Sequence, residues 1–143
     1  MNEQRNVEAV KRIYELTNAG DLTSVLNMVS DDVELFLFGS SKVPWAGHWQ
    51  GRQGTEQFLI AMGKAAEVTD IPDVVVGTGD SVIAIHRPTL RIRATGRAAD
   101  FNVVHVWTFR DGLVIRMREY ADTAAWEAAF DEPPHEGFTR KVN

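Results

Sequence analysis

The spacing of hydrophobic and polar positions changes character along this chain, from mainly helical in the first half to mainly alternating from Ile71 onward. Between Glu3 and Asn18, Val7, Val10, Ile13, Tyr14 and Thr17 recur at helical intervals, with Glu3, Glu8, Lys11 and Arg12 on the other side. Asn18-Ala19-Gly20 stops that helix, and Gly20 suits the left-handed position just past its end. Asp21 is placed to N-cap a second helix with Leu22, Val25, Leu26 and Val29 as its buried stripe. Ser30-Asp31-Asp32 reads as a turn, and Val33 to Phe38 as a strand that is apolar on both faces except at Glu34. Gly39 to Gly51 reads as a loop carrying Pro44, Trp45, His48 and Trp49. A third helix is expected from Arg52 or Gln53 to Ala66, with Phe58, Leu59, Met62 and Ala65 inward.

From Ile71 onward strands take over. Val74 to Val76 is a short one. Ser81 to Ala94 reads as a long one in which Pro88 removes a ladder donor and marks a bulge or an edge. Thr95-Gly96-Arg97 turns the chain into a strand over 98–109, and Arg110-Asp111-Gly112 turns it back through Leu113 to Ala121. Asp122 can cap a short final helix bearing Trp126 and Phe130. After Asp131 come Pro133-Pro134 and Gly137 in polar surroundings, the signature of a loose tail. This order predicts an α+β cone: a curved, mostly antiparallel sheet with helices on its concave side enclosing a pocket. One domain is expected over residues 1–131 and a tail over 132–143.

The last hairpin concentrates the chemistry. Phe101, Val103, His105, Trp107 and Phe109 share one strand face, and His105 is its only polar member. A three-residue loop sets His105 opposite Met117 and makes Glu119 its diagonal neighbour on the same face, roughly 7–8 Å away by backbone. A two-residue loop sets Arg118 opposite His105 instead. The first register is preferred because it adds Ile115 and Met117 to the apolar face. An imidazole that relays protons near neutral pH, beside a carboxylate on an apolar wall, makes His105 and Glu119 the expected acid–base pair. The plain alternative is a core histidine bonded to Glu119 or to a carbonyl. Tyr14 is the third catalytic candidate, aiming its hydroxyl into the cone as acid or oxyanion donor, or else packing on the sheet with that hydroxyl at the rim. Phe36, Trp45, His48, Trp107 and Met117 are expected to bind substrate, with Trp45, His48 and Trp49 serving either as a lid or as a pinned loop. His86, beside Arg87 and Pro88, reads as surface or bulge structure. Outward-facing Val104, Val106, Thr108 and Val114 form an apolar patch that predicts a homodimer through the outer sheet face.

Composition narrows the function classes. With 143 residues, 24% of them charged, a net charge of −5 and no basic cluster, nucleic acid is not an expected partner. No cysteine is present, so thiol chemistry is excluded. Histidines at 48, 86, 105 and 135 form no short ligand motif, and no glycine loop cradles phosphate, so neither a metal nor a cofactor is expected. Met-Asn-Glu-Gln-Arg lacks the apolar core of a signal peptide, and no apolar run is long enough to span a bilayer. A cytoplasmic protein with no membrane partner is the expectation.

Several short motifs, taken together, resemble a known family. They are Tyr14…Asn18-Ala-Gly-Asp21-Leu22, Asp31-Asp32-Val33-Glu34, Gly47…Gly51-Arg52…Gly54, Ala94-Thr-Gly-Arg97, His105-Val-Trp107 and Arg110-Asp-Gly112…Arg118-Glu-Tyr…Asp122. In that order they resemble the SnoaL-like group of the NTF2-like (ketosteroid isomerase-like) superfamily. The resemblance to polyketide cyclases puts their hairpin histidine at His105 and their catalytic aspartate at Glu119, whose longer side chain moves the carboxylate by about one bond length. Against ketosteroid isomerases, the general base falls on Leu37 and the tyrosine on Ile13, which argues against steroid isomerisation. What the resemblance implies is a general acid–base lyase, isomerase or polyketide-cyclase type of enzyme. It would act without a cofactor on an apolar carbonyl or polycyclic compound. The alternative is a non-catalytic ligand-binding or accessory dimeric module, because this fold hosts both.

Overall fold

A computed structural model describes residues 2–131; the expected tail over 132–143 lies outside them. The first helical pattern becomes α1 (Asn2–Asn18), which buries Val7, Val10, Ile13, Tyr14 and Leu16. Gly20 takes the left-handed conformation (φ 74°). The side chain of Asp21 then accepts the Ser24 backbone N–H to cap α2 (Leu22–Leu26). Val29 does not continue that helix. It opens β1 (Val29–Leu37), so Ser30 to Asp32 belong to the strand, which carries a register irregularity between Val29 and Glu34. Valine is better accommodated on a pleated surface than in a helix, and Val29 and Val33 are both buried there.

The aromatic loop contains a short strand, β2 (Gly47–Gln50), paired antiparallel with β1. The helix α3 (Gly51–Ala65) follows it, and β3 (Ala66–Thr69) follows directly on that helix. Next come β4 (Val74–Thr78) and β5 (Ser81–His86), paired as a hairpin. The long strand expected over 81–94 is two. At Arg87-Pro88 the chain leaves the large sheet, and β6 (Thr89–Ile92) pairs instead with β3. The expected 98–109 strand divides in the same way, into β7 (Ala98–Asp100), beside β6, and β8 (Val103–Arg110), beside β5. The last strand is β9 (Leu113–Ala121). Asp122 caps α4 (Thr123–Phe130), accepting from the Ala125 N–H. The large sheet runs β2-β1-β9-β8-β5-β4 and the small one β3-β6-β7. Every pairing among the described residues is antiparallel except that of β1 with β9.

The β8–β9 hairpin corrects both expected registers. Its turn has two residues, Asp111 (φ 52°) and Gly112 (φ 79°), with Arg110 opposite Leu113 and Phe109 opposite Val114. Two successive positive φ angles match the right-handed twist of the strands. Ile115 is then an extra residue: Thr108 pairs with Arg116, Trp107 with Met117 and His105 with Glu119. This bulge cancels the face change that a two-residue turn alone would impose. Glu119 is therefore the direct cross-strand partner of His105, not its diagonal neighbour. The bulge also turns Val114 inward, fully buried, and removes it from the expected outer patch.

The buried face of β8 is Val103, His105, Trp107 and Phe109, and α1 and α3 contribute Ile13, Tyr14, Phe58 and Leu59 to the same core. On β4, Gly77 lets α1 come close: a Cβ there would meet Val7 at 3.1 Å and Glu3 at 3.3 Å. No described helix is long and apolar enough to cross a membrane.

Candidate active site

Four side chains form one hydrogen-bonded line across the cone. The Trp107 indole N–H donates to the Tyr14 hydroxyl oxygen at 3.1 Å. That hydroxyl lies 2.5 Å from His105 Nδ1, and His105 Nε2 lies 2.7 Å from Glu119 Oε1. The groups at each end assign the protons. Indole can only donate, and an ionised carboxylate can only accept. Burial, and next the charge of Asp70, push the Tyr14 hydroxyl well above the ordinary tyrosine range, so it keeps its proton. Tyr14 then donates to Nδ1, and the Nε2–H of a neutral His105 donates to Glu119. The rings hold this order: Tyr14 and His105 lie parallel within 5°, and Trp107 stands at 85° to one and 90° to the other.

These groups open on an apolar cavity of about 80 Å³ walled by Leu35, Phe58, Met62, Met117 and Trp126. His105 and Glu119 are 7% and 9% exposed. Two larger clefts, of about 430 and 390 Å³, lie elsewhere. The first runs along Arg5, Asp80 and Arg110 near the hairpin tip, the second beside Leu22, Met62 and Arg93, and neither contains an imidazole. Size here does not mark the chemistry.

Of the residues expected from sequence, the fold brings His105, Glu119, Tyr14, Trp107 and Met117 to this cavity. Phe36, Trp45 and His48 are not among its walls. The inward positions of β1 are Val33, Leu35 and Leu37. Alternation therefore sends Phe36 to the opposite face, where its ring stacks on His48 at 4.3 Å. There His48 Nε2 stands 3.4 Å from Glu34 Oε1 in a half-exposed pair. Trp45 is 1% exposed and packs edge-on to Trp126 and Phe130, so it pins its loop to α4.

Sequence reasoning misses two residues of the site. His86 is fully buried, not on the surface, because it continues the inward series Val82, Ala84, His86 on β5. That alternation is visible in the sequence, but Pro88 points the reading toward a bulge. The His86 ring centroid is 4.3 Å from that of His105, and its Nδ1 lies 2.5 Å from Asp70 Oδ1. Asp70 follows β3 directly and lines the cavity. The Asn18 amide clamps the Asp70 backbone on both sides, donating to its carbonyl at 2.9 Å and accepting from its N–H at 3.0 Å. No local pattern marks Asp70, since its neighbours Thr69, Ile71 and Pro72 read as loop.

Asp70, His86 and His105 place one donor atom each within 4.8 Å of one another, a grouping that could hold a metal ion. The sequence hides it because three separate segments supply it. Asp70 and His86 are hydrogen-bonded to each other, and both nitrogens of His105 are engaged, so His86 Nε2 is the ring nitrogen of this group without a partner.

Comparison with known proteins agrees with the fold. The SnoaL-like domain family matches residues 10–117. An uncharacterized protein of Mycobacterium tuberculosis is 28% identical over 135 residues, covering 90% of this chain and 98% of its own length. An NTF2-like protein from Burkholderia xenovorans LB400 has a TM-score of 0.82 at 28% identity, over 90% of this chain and 98% of that one. TerC, co-crystallised with polyporic acid, has a TM-score of 0.80 at 26% identity, over 88% of this chain and 98% of its own. With the family's domain spanning most of the sequence and its cone shared with solved NTF2-like structures, this chain belongs to the SnoaL-like family and has the NTF2-like fold.

Proposed function

We propose that this protein is a general acid–base enzyme that takes a proton from the carbon next to the carbonyl group of a small, largely apolar compound, as a lyase, isomerase or cyclase does. The observation that carries the reading is the Trp107–Tyr14–His105–Glu119 line ending in a carboxylate at an apolar cavity. Glu119 is the base. His105, its tautomer set by Tyr14, orients the carboxylate and hydrogen-bonds it through the reaction. Tyr14 serves as a positioning group, since its proton is committed to Nδ1 and its oxygen accepts from Trp107. Trp107 and Met117 shape the cavity. Its volume of about 80 Å³ is far below the roughly 300–1,000 Å³ of pockets for drug-sized ligands, which favours a single small ring over a polycyclic substrate. TerC was crystallised with an organic acid, and this supports an organic ligand in the same fold here.

The outer face supports a homodimer. Val74, Ile85, Val104 and Tyr120 pair in a row across four strands, and Val74, Ile85 and Tyr120 are each over 40% exposed. Sedimentation at micromolar concentration checks this, and a monomer removes it.

The chemical test is deuterium wash-in. In D₂O, NMR should show the protein accelerating exchange of the α-protons of cyclopentanone. Glu119→Gln, which keeps an acceptor for His105, should lose about 100-fold or more of that rate. If cyclopentanone, cyclohexanone and 2-cyclopentenone all exchange at the buffer rate while binding, the protein is a ligand-holding module and the enzyme reading fails.

A further inference from the structure

A ligand that reaches Glu119 enters a cavity of about 80 Å³, and the two larger clefts do not stand in the same relation to it. The cleft along Arg5 and Arg110 shares no wall residue with the cavity. The cleft of about 390 Å³ beside α1, α2, α3 and β3 shares four: Thr17, Leu59, Met62 and Val68 line both. Those four side chains are therefore a common wall, with the cavity on one side and the open cleft on the other. They differ in freedom. The Thr17 hydroxyl is tied to the Ile13 carbonyl at 2.8 Å. Val68 is β-branched and sits in β3 opposite Leu90. Leu59 is buried in the core. Met62 is only partly buried, and its unbranched side chain has three rotatable bonds. It is the member that can swing aside with the least lost packing.

The chemistry of the cleft selects its occupant. Leu22, Ile60 and Ala66 add apolar surface beyond the shared wall, and Ile60 is 38% exposed there. The charged side chains on the cleft, among the described residues, are Glu67 and Arg93. They bond each other at 3.2 Å, and Arg93 Nε also donates to the Gly63 carbonyl at 3.0 Å. Each is already answered, so neither is left to recruit a charged group. We propose that this cleft is the outer half of the substrate site. Met62 swings aside, and the cleft holds an uncharged apolar arm, alkyl or aryl, carried by the small ring that reacts at Glu119. The proposal rests on the reading of Glu119 as the base, and it narrows the substrate class to a small cyclic ketone bearing such an arm. Volume agrees with this division. The inner cavity is below the roughly 300–1,000 Å³ of ordinary ligand pockets and the cleft falls within it. A ring alone would leave the apolar surface of the cleft in water, whereas an arm takes it out of water.

The test uses the full chain and a series of 2-alkylcyclopentanones, from methyl through propyl to pentyl. In wild type, kcat/KM for α-proton exchange should rise roughly threefold for each methylene added, through a falling KM at steady kcat. Gly63→Phe should flatten the series, so that the methyl and pentyl compounds react alike. Gly63 lines the cleft and not the cavity, and a Cβ on it meets no atom within 4 Å, so the new ring has space to fill the cleft. A second measurement needs no variant. With 2-pentylcyclopentanone bound to wild type, NMR should show nuclear Overhauser contacts from the terminal methyl of the arm to the methyl groups of Ile60, which lines the cleft alone. A flat series in wild type, no contact with Ile60, or a folded Gly63→Phe with the wild-type slope overturns the inference. So does a Gly63→Phe chain that sediments as a monomer where wild type is a dimer, because the cleft would then receive a second copy. If wild type exchanges none of the ketones, the base reading has failed, and the contacts with Ile60 alone decide whether the cleft holds the arm.

Discussion

The chain contains the same pair of side chains, histidine and glutamate, on opposite faces of one sheet. Inside, His105 and Glu119 are 2.7 Å apart, both nearly sealed from water, with the other ring nitrogen of His105 engaged by Tyr14. Outside, His48 and Glu34 are 3.4 Å apart and about 41% and 34% exposed by side chain. Residue identity is therefore a poor guide to what such a pair does. Water surrounds the outer pair and can replace either partner at little cost. Nothing replaces a partner of the inner pair, so both its contribution to stability and its usefulness for moving protons follow from its enclosure.

The comparison can be broken from the inside first. Glu119→Ala leaves the His105 N–H buried with no acceptor and should cost about 3 kcal/mol in chemical denaturation. The next largest effect is at Tyr14→Phe, which removes the donor to His105 and the acceptor for Trp107; about 2 kcal/mol is expected by the same measurement. That variant also has a pH signature. Because the folded state holds the Tyr14 proton more tightly than the unfolded chain does, its contribution is fully present below the unfolded pKa of about 10. It is lost as pH rises through the folded value. Wild type should therefore lose stability above about pH 10 more steeply than Tyr14→Phe does. Smaller again is Gly112→Ala: at φ 79° a side chain is strained, and about 1 kcal/mol should be lost. The outer pair should respond least. His48→Ala is expected to stay within about 0.5 kcal/mol of wild type, and a loss as large as that of Glu119→Ala would erase the contrast between the two faces.

The parts of this molecule legible in the sequence are those written in local patterns. Helical spacing places α1, α3 and α4 to within a residue or two; Asp21 and Asp122 mark real caps. Alternation predicts two long strands where four exist, because a strand that crosses between sheets keeps its alternation and only Pro88 and the Phe101-Asn102 bend reveal the crossing. Within the site, His105 and Glu119 follow from the face shared along a hairpin, a short-range property. Asp70 and His86 reach the same place from segments whose meeting depends on both sheets and on the Asn18 clamp. Phe36 is misplaced for the opposite reason: the strand is apolar on both faces except at Glu34, and that single polar residue, on the same face as Phe36, is the sequence's one sign that this face points outward.

The bulge at Ile115 has a consequence for hairpin length. A regular hairpin with the same two-residue turn would set the acid opposite His105 with one residue fewer between Phe109 and Glu119; the bulge absorbs the additional residue without changing faces. Deleting Ile115 should therefore keep Glu119 opposite His105, whereas inserting one residue into the paired part of the last strand with no second bulge would put Arg118 in the cavity. Homologous hairpins should gain or lose a residue here only together with a bulge.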